Sequence, residues 1–159
     1  MTHATTSKFR PILVHAVAIV VVVAVGAAIG MMIGPDDWYR SLSKPVFNPP
    51  PWVFAPVWTL LYIFIGIAFA RTALRDPTGP AMKVWIIQML LNWSWTPLWF
   101  GLHMMWAAFA VITALWLSII AFILLTRKRD PVSALLFLPY LAWVSFAGIL
   151  NATVAAMNS

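Results

Sequence analysis

Five apolar stretches, at 11–34, 52–70, 84–102, 104–126 and 131–157, contain no Asp, Lys or Arg, and Glu is absent from the whole sequence. About 20 apolar residues cross a bilayer as a helix. Lipid offers no partner to a bare backbone amide or carbonyl, so such stretches must satisfy their own hydrogen bonds as helices. A water-soluble reading would leave almost nothing to cover them, because 63% of the 159 residues are hydrophobic and 9% are charged. The expected fold is all-α: an integral membrane bundle of five transmembrane helices, one domain over 1–159, with a proline-rich connection at 35–51.

The charges predict an orientation. In a five-span topology the N-terminus and the second and fourth connections share a side, which carries Lys8, Arg10, Arg71, Arg75, Lys83, Arg127, Lys128 and Arg129. The opposite side has Arg40 and Lys44. This asymmetry predicts a cytoplasmic N-terminus and a C-terminus across the membrane. The formal charge of +6 is scattered over short connections, so no basic groove for nucleic acid is expected. Lys8, Arg10 and the later Gly26-Ala27-Ala28 also fit a secretory signal. The stretch is too long for a usual signal core, however, and its removal would spoil the asymmetry, so it is read as a retained helix.

Several chemistries are disfavoured. The chain has no cysteine, which removes disulfides, thiolate metal sites and thiol nucleophiles. Its four acids, Asp36, Asp37, Asp76 and Asp130, fall in connections, and His15 is the ionisable group within the spans. Proton relays, ion-coupled pumps and paired-carboxylate hydrolases need more than this inside a membrane. A Ser-His-Asp arrangement would need a loop Asp to meet His15 or His103, and no nucleophile motif surrounds any Ser. As haem ligands, His15 and His103 are weak candidates beside packed or interfacial histidines, and no metal site is expected. The sequon Asn151-Ala152-Thr153 lies in the fifth span and is discounted.

Gly26, Gly30 and Gly34 share one face of the first helix and allow another backbone to approach. Close packing within the monomer and a dimer seam both fit. The connection at 35–51 holds Asp36-Asp37-Trp38-Tyr39 and ends in four prolines among seven residues. It should be stiff, as a lid over the bundle or as an interfacial anchor. Trp52, Trp106 and Trp38 sit near span ends and read as anchors. Pro56 falls in a first helical turn, where a missing N–H costs little. Pro97 and Pro139 lie deeper and should bend their helices, opening space between the third and fifth.

In the third span Trp85, Gln88, Asn92, Trp95 and Trp99 are spaced 3, 4, 3, 4, which stacks them on one helical face. Amides in lipid are costly unless paired, so this face should look into the bundle. The fifth span repeats the pattern with Tyr140, Trp143, Ala147 and Asn151, and the second offers Trp58 and Tyr62. Aromatic walls with sparse amides suit a flat apolar ligand with a polar edge. The same residues also fit interhelical packing.

Asp37-Trp38-Tyr39, Lys44-Pro45 with Asn48-Pro49-Pro50, Trp52-Val53-Phe54-Ala55-Pro56-Val57-Trp58, Asn92 through Pro97, Phe100-Gly101 and Leu138-Pro139-Tyr140-Leu141-Ala142-Trp143 together resemble the TspO family. These are the tryptophan-rich sensory proteins of bacteria and the mitochondrial translocator protein, or peripheral-type benzodiazepine receptor. The resemblance covers about residues 11 to 155. It implies a five-helix bundle, often a homodimer, whose pocket is closed by the first loop and binds porphyrin, haem, and benzodiazepine- or isoquinoline-type ligands. The implied function is a membrane receptor or sensor that regulates porphyrin handling or stress signalling; the alternatives are a transporter of porphyrins or sterols and a light-dependent porphyrin-degrading enzyme. Matched motifs point to Tyr39, Ala55, Trp58, Asn92, Trp106, Trp143, Ala147 and Leu150 as ligand-binding, to which the stripe adds Gln88 and Trp95. No catalytic residue is assigned firmly, although Trp58 and Trp143 would be the reactive groups if porphyrin is photodegraded. No cofactor is required; porphyrin or haem is the ligand. The partners implied are that tetrapyrrole or a drug-like molecule, the lipid bilayer and a second chain, in a bacterial cell membrane.

Two departures from the pattern matter. Phe47 stands where many relatives have Trp, which keeps the ring and loses the indole N–H. The C-terminal sterol motif of animal relatives needs a Tyr followed by a basic residue, and Asn151 to Ser159 contains neither. This favours a tetrapyrrole over cholesterol.

Overall fold

The structure, a computed structural model, describes residues 3–159, with side chains from Arg10 onward. Lys8, one of the cations behind the expected orientation, therefore lies outside the described side chains. Helix α1 covers His3–Met32, α2 Asp37–Ser41, α3 Pro51–Arg75, α4 Pro80–Thr96, α5 Met105–Thr126 and α6 Pro131–Met157. No strand occurs among the described residues. Prolines at the starts of α3, α4 and α6 occupy positions whose N–H would be unbonded anyway.

Among the described residues four helices are long and apolar enough to cross a membrane: Arg10–Met32, Pro51–Arg75, Met105–Thr126 and Pro131–Met157. The expected third span departs from 84–102. Its α-helix begins at Pro80 and has 17 residues, and a five-residue π-helical turn, Pro97–Gly101, carries it on. Pro97 brings no N–H and crowds the turn before it. The chain responds by widening: Leu102 N–H donates to Pro97 O at 2.9 Å, five residues back. The bend expected at Pro97 is thus a π turn, and α4 with this turn completes the five-helix bundle.

In the bundle α1 lies on α3, α3 on α6, α6 on α5 and α5 on α4, while α4 also touches α3 and α1. Ile65, Met89, Leu115, Ile119, Phe122, Phe137, Tyr140 and Val144 form its buried centre. Where lipid surrounds the helices, close packing and interhelical hydrogen bonds hold them together more than exclusion from water does. The closest approach of one helix backbone to another at a glycine is at Gly66, where a Cβ would stand 2.8 Å from Ile19 Cα. Gly26 gives its space to the Tyr62 ring, whereas Gly30 has nothing within 4 Å. Of the glycine face, Gly26 therefore serves packing within the monomer.

One end of the bundle is clamped by Asp130. It accepts from Arg71 at 2.6 Å and from Ser133 Oγ at 2.6 Å, with Arg75 Nε at 3.7 Å. Burial pushes the Asp130 pKa up, but the Arg71 and Ser133 hydrogen bonds and the Arg71 charge outweigh it and hold the carboxyl below its ordinary range. At the other end the segment 35–50 folds back over the helices. Lys44 Nζ lies 4.6 Å from the Tyr39 ring centroid and donates to the carbonyls of Arg40 and Leu42. Ser43 and Asn158 bond reciprocally: Ser43 N–H donates to Asn158 Oδ1, and Asn158 Nδ2 donates to Ser43 O, each at 2.9 Å.

Candidate functional site

The α4 stripe faces inward over most of its length, because its 3–4 spacing is the period of the helix. Trp85 is buried and donates to Ile65 O at 3.2 Å, a packing role. One turn on, Gln88 and Asn92 are buried and linked through Tyr140. Asn92 Nδ2 donates to the Tyr140 hydroxyl at 2.8 Å, and that hydroxyl donates to Gln88 Oε1 at 3.0 Å. Tyr62 Oη donates to Asn92 Oδ1 at 3.0 Å. This polar chain joins α3, α4 and α6, and Trp58 covers it, with its ring centroid 5.4 Å from Tyr62 and 6.3 Å from Tyr140. Trp58 and Asn92 thus converge on one interior.

A second, mostly aromatic layer lies between the polar chain and the segment 35–50. Trp95 stacks on Trp99 with centroids 5.8 Å apart and planes 9° from parallel, and its indole donates to Asn151 Oδ1 at 3.0 Å. Tyr39 meets Phe100 edge-on at 5.1 Å, and burial pushes the Tyr39 phenol upward in pKa. Leu150 and Val154 of α6 close this layer. Trp143 stands beside it, 5.8 Å from Phe54 and 5.6 Å from Phe146, with Ala147 packed against the core. Its indole N–H is buried and meets no acceptor among the described residues, the same holds for that of Trp93 on α4, and Asn48 Oδ1 is likewise buried without a donor. Native interiors rarely leave such groups unpaired.

Two residues named from the sequence stand apart. Trp106 is 53% exposed and donates to Ser159 Oγ, and Ala55 is exposed on α3. Trp52, at 74% exposure, fits the expected surface anchor. Trp38 does not: it is partly buried, stacked on the His103 ring at 3.9 Å and edge-on to Trp99 at 6.3 Å. His103 Nε2 lies 3.0 Å from Asp36 Oδ2. The backbone N–H of Tyr39 holds the Asp36 carboxyl below its ordinary pKa, with His103 adding to the effect. Asn48, His103 and Asn158 had no periodic signal to mark them, since their partners come from distant parts of the chain.

Away from this region an open apolar groove of about 470 Å³ runs along the outside of α5 and α6. Its polar groups are satisfied internally: Trp116 donates to Ser145 Oγ, and Thr113 and Thr153 donate to carbonyls of their own helices.

A model of the TspO/MBR family matches residues 16–157. The chain is 38% identical over 139 residues to Protein CrtK of Rhodobacter capsulatus, covering 85% of this chain and 87% of that one. It is 37% identical over 132 residues to the Tryptophan-rich sensory protein of Cereibacter sphaeroides, covering 83% and 84%. Similarity extends to the Translocator protein of Homo sapiens, at 32% identity over 129 residues and coverage of 72% and 70%.

Proposed function

The chain belongs to the TspO/MBR family, and from that premise we propose that it is a membrane receptor or sensor binding a tetrapyrrole between the aromatic layer and the Gln88–Tyr140–Asn92–Tyr62 chain. The observation that carries this reading is the buried Trp143 indole N–H, left without an acceptor between the Phe54 and Phe146 rings. A ligand carboxylate or ring nitrogen supplies the missing acceptor, and the surrounding rings supply flat walls. Rings of the protein fill this region themselves, so a planar guest enters by displacing them as the segment 35–50 moves. In the same reading two chains pair, and the end bearing Arg71, Arg75 and Arg127 to Arg129 faces the cytoplasm of a bacterial cell.

Protoporphyrin IX titrated against the protein in lipid nanodiscs should quench its tryptophan fluorescence saturably. Trp143→Phe and Asn92→Leu should each weaken binding by about tenfold, the scale of one lost buried hydrogen bond. Wild-type titrations in both variants would overturn the site, and quenching that never saturates would overturn the ligand class.

A further inference from the structure

His103 is the one non-glycine residue with positive φ among the described residues, at 56°. The left-handed region costs energy for a residue with a Cβ. Here it sits at the turn into α5 and turns the imidazole toward the segment 35–43. The ring lies flat on Trp38, with centroids 3.9 Å apart and planes 17° from parallel, while Nε2 reaches Asp36 Oδ2. Asp36 has a second task, since its Oδ1 caps α2 at Tyr39 N–H. One side chain therefore holds both the cap and the aromatic residue of the short helix.

We propose that His103 is a pH-responsive latch that positions the lid over the ligand site, closing it in mild acid and loosening it as the imidazole loses its charge. The proposal rests on the ligand site above for what the lid covers, but not for the latch itself.

Two contacts depend on the same proton. A neutral imidazole in its Nε2–H tautomer still donates to the ionised Asp36, so losing the proton removes the ion pairing and weakens this contact without breaking it. A cation over an indole face also gains from the ring quadrupole. Imidazoles change charge between about pH 5 and 8, a window in which Asp36, held low, stays ionised. Other charges nearby on the lid are engaged elsewhere. Asp37 pairs with Arg40 at 2.7 Å, and Lys44 serves Tyr39 and two carbonyls. The stretch 84–102 and α5 contribute no charged residue to this side. Midway along, the lid is tied by Asn158 to Ser43, and neither side chain titrates. Raising the pH thus loosens the Asp36–Trp38 part of the lid while the Ser43–Asn158 tie holds.

The chain has no cysteine, so Ser41→Cys, at the exposed end of α2, takes a single nitroxide label. In nanodiscs without ligand, label motion should be slower at pH 5.5 than at pH 8, by about threefold given the partial exposure of the pair. His103→Gln should abolish that pH response and Asp36→Asn should reduce it, since the stack on Trp38 remains; Asn keeps the helix cap. Equal motion at both pH values in the parent, or a response that survives His103→Gln, which leaves His15 in place, would overturn the latch. Protoporphyrin release should show the same pH dependence. A label response without any porphyrin binding supports the latch and removes the ligand reading alone.

Discussion

Tyr140 and Asn92 meet at 2.8 Å in the middle of the bundle, with the phenol accepting from the amide while donating to Gln88. One hydroxyl therefore satisfies two residues a single turn apart on α4 and ties that helix to α6. Tyr62 adds α3 through the remaining amide oxygen.

Removing the two phenols should not cost the same. Tyr140→Phe leaves both the Asn92 N–H and the Gln88 carbonyl short of a partner, whereas Tyr62→Phe strips one acceptor contact. Thermal unfolding in detergent should register a loss of about 2 kcal/mol for Tyr140→Phe and about half that for Tyr62→Phe. Equal losses would mean that Tyr140 does not bridge the two α4 residues.

The helix contact at Gly66 gives a second contrast. A Cβ there meets backbone, Ile19 Cα at 2.8 Å, which cannot swing aside as a side chain does. Gly66→Ala should destabilise by about 1–3 kcal/mol. Gly30→Ala, with open space around it, should be neutral or stabilising, since alanine favours helix. The same unfolding assay compares them.

For Asp130 the sign of the pH dependence follows from a folded pKa below the ordinary value of 3.8. Such a carboxylate contributes stability above 3.8 that disappears as the pH falls through its lower folded value. Asp130→Asn removes that titration and leaves Arg71 without its anion, so its stability deficit relative to the parent should be full above pH 3.8 and shrink as the pH falls further. At neutral pH that variant should lose about 2 kcal/mol, read from denaturation midpoints.

The parts of this architecture that were legible in the sequence are those with a local period. Gln88, Asn92, Trp95 and Trp99 repeat at helical spacing, so their common face could be read before any packing was known. Tyr62 and Tyr140 were visible as inward aromatics, but not as the hydroxyls that complete Asn92. Pro97 announced a break in the ladder, while the choice of a π turn depends on where Leu102 N–H finds its acceptor. Trp38 near a span end read as an anchor because nothing local reveals that His103, 65 residues away by their numbers, covers its face. Asn158 and Ser43 are more distant still, and polar residues in connections have no pattern to betray such a pairing.

Asn158→Ala should speed amide hydrogen exchange at 42–44 at constant pH, because Ser43 N–H loses its acceptor. Exchange in the core of α3 should not change. If the loop amides stay equally protected, the aromatic contacts of Tyr39 hold the lid without help from α6.

This tie has a practical corollary for anyone handling the protein. Force applied to the last turn of α6 is transmitted to Ser43, so a bulky reporter or affinity handle fused behind Ser159 would tug on the cover of the aromatic layer. The same handle ahead of Arg10, which lines a surface with Leu74 and Pro77 at the opposite end, would leave that cover alone. Handle position is therefore itself an experimental variable.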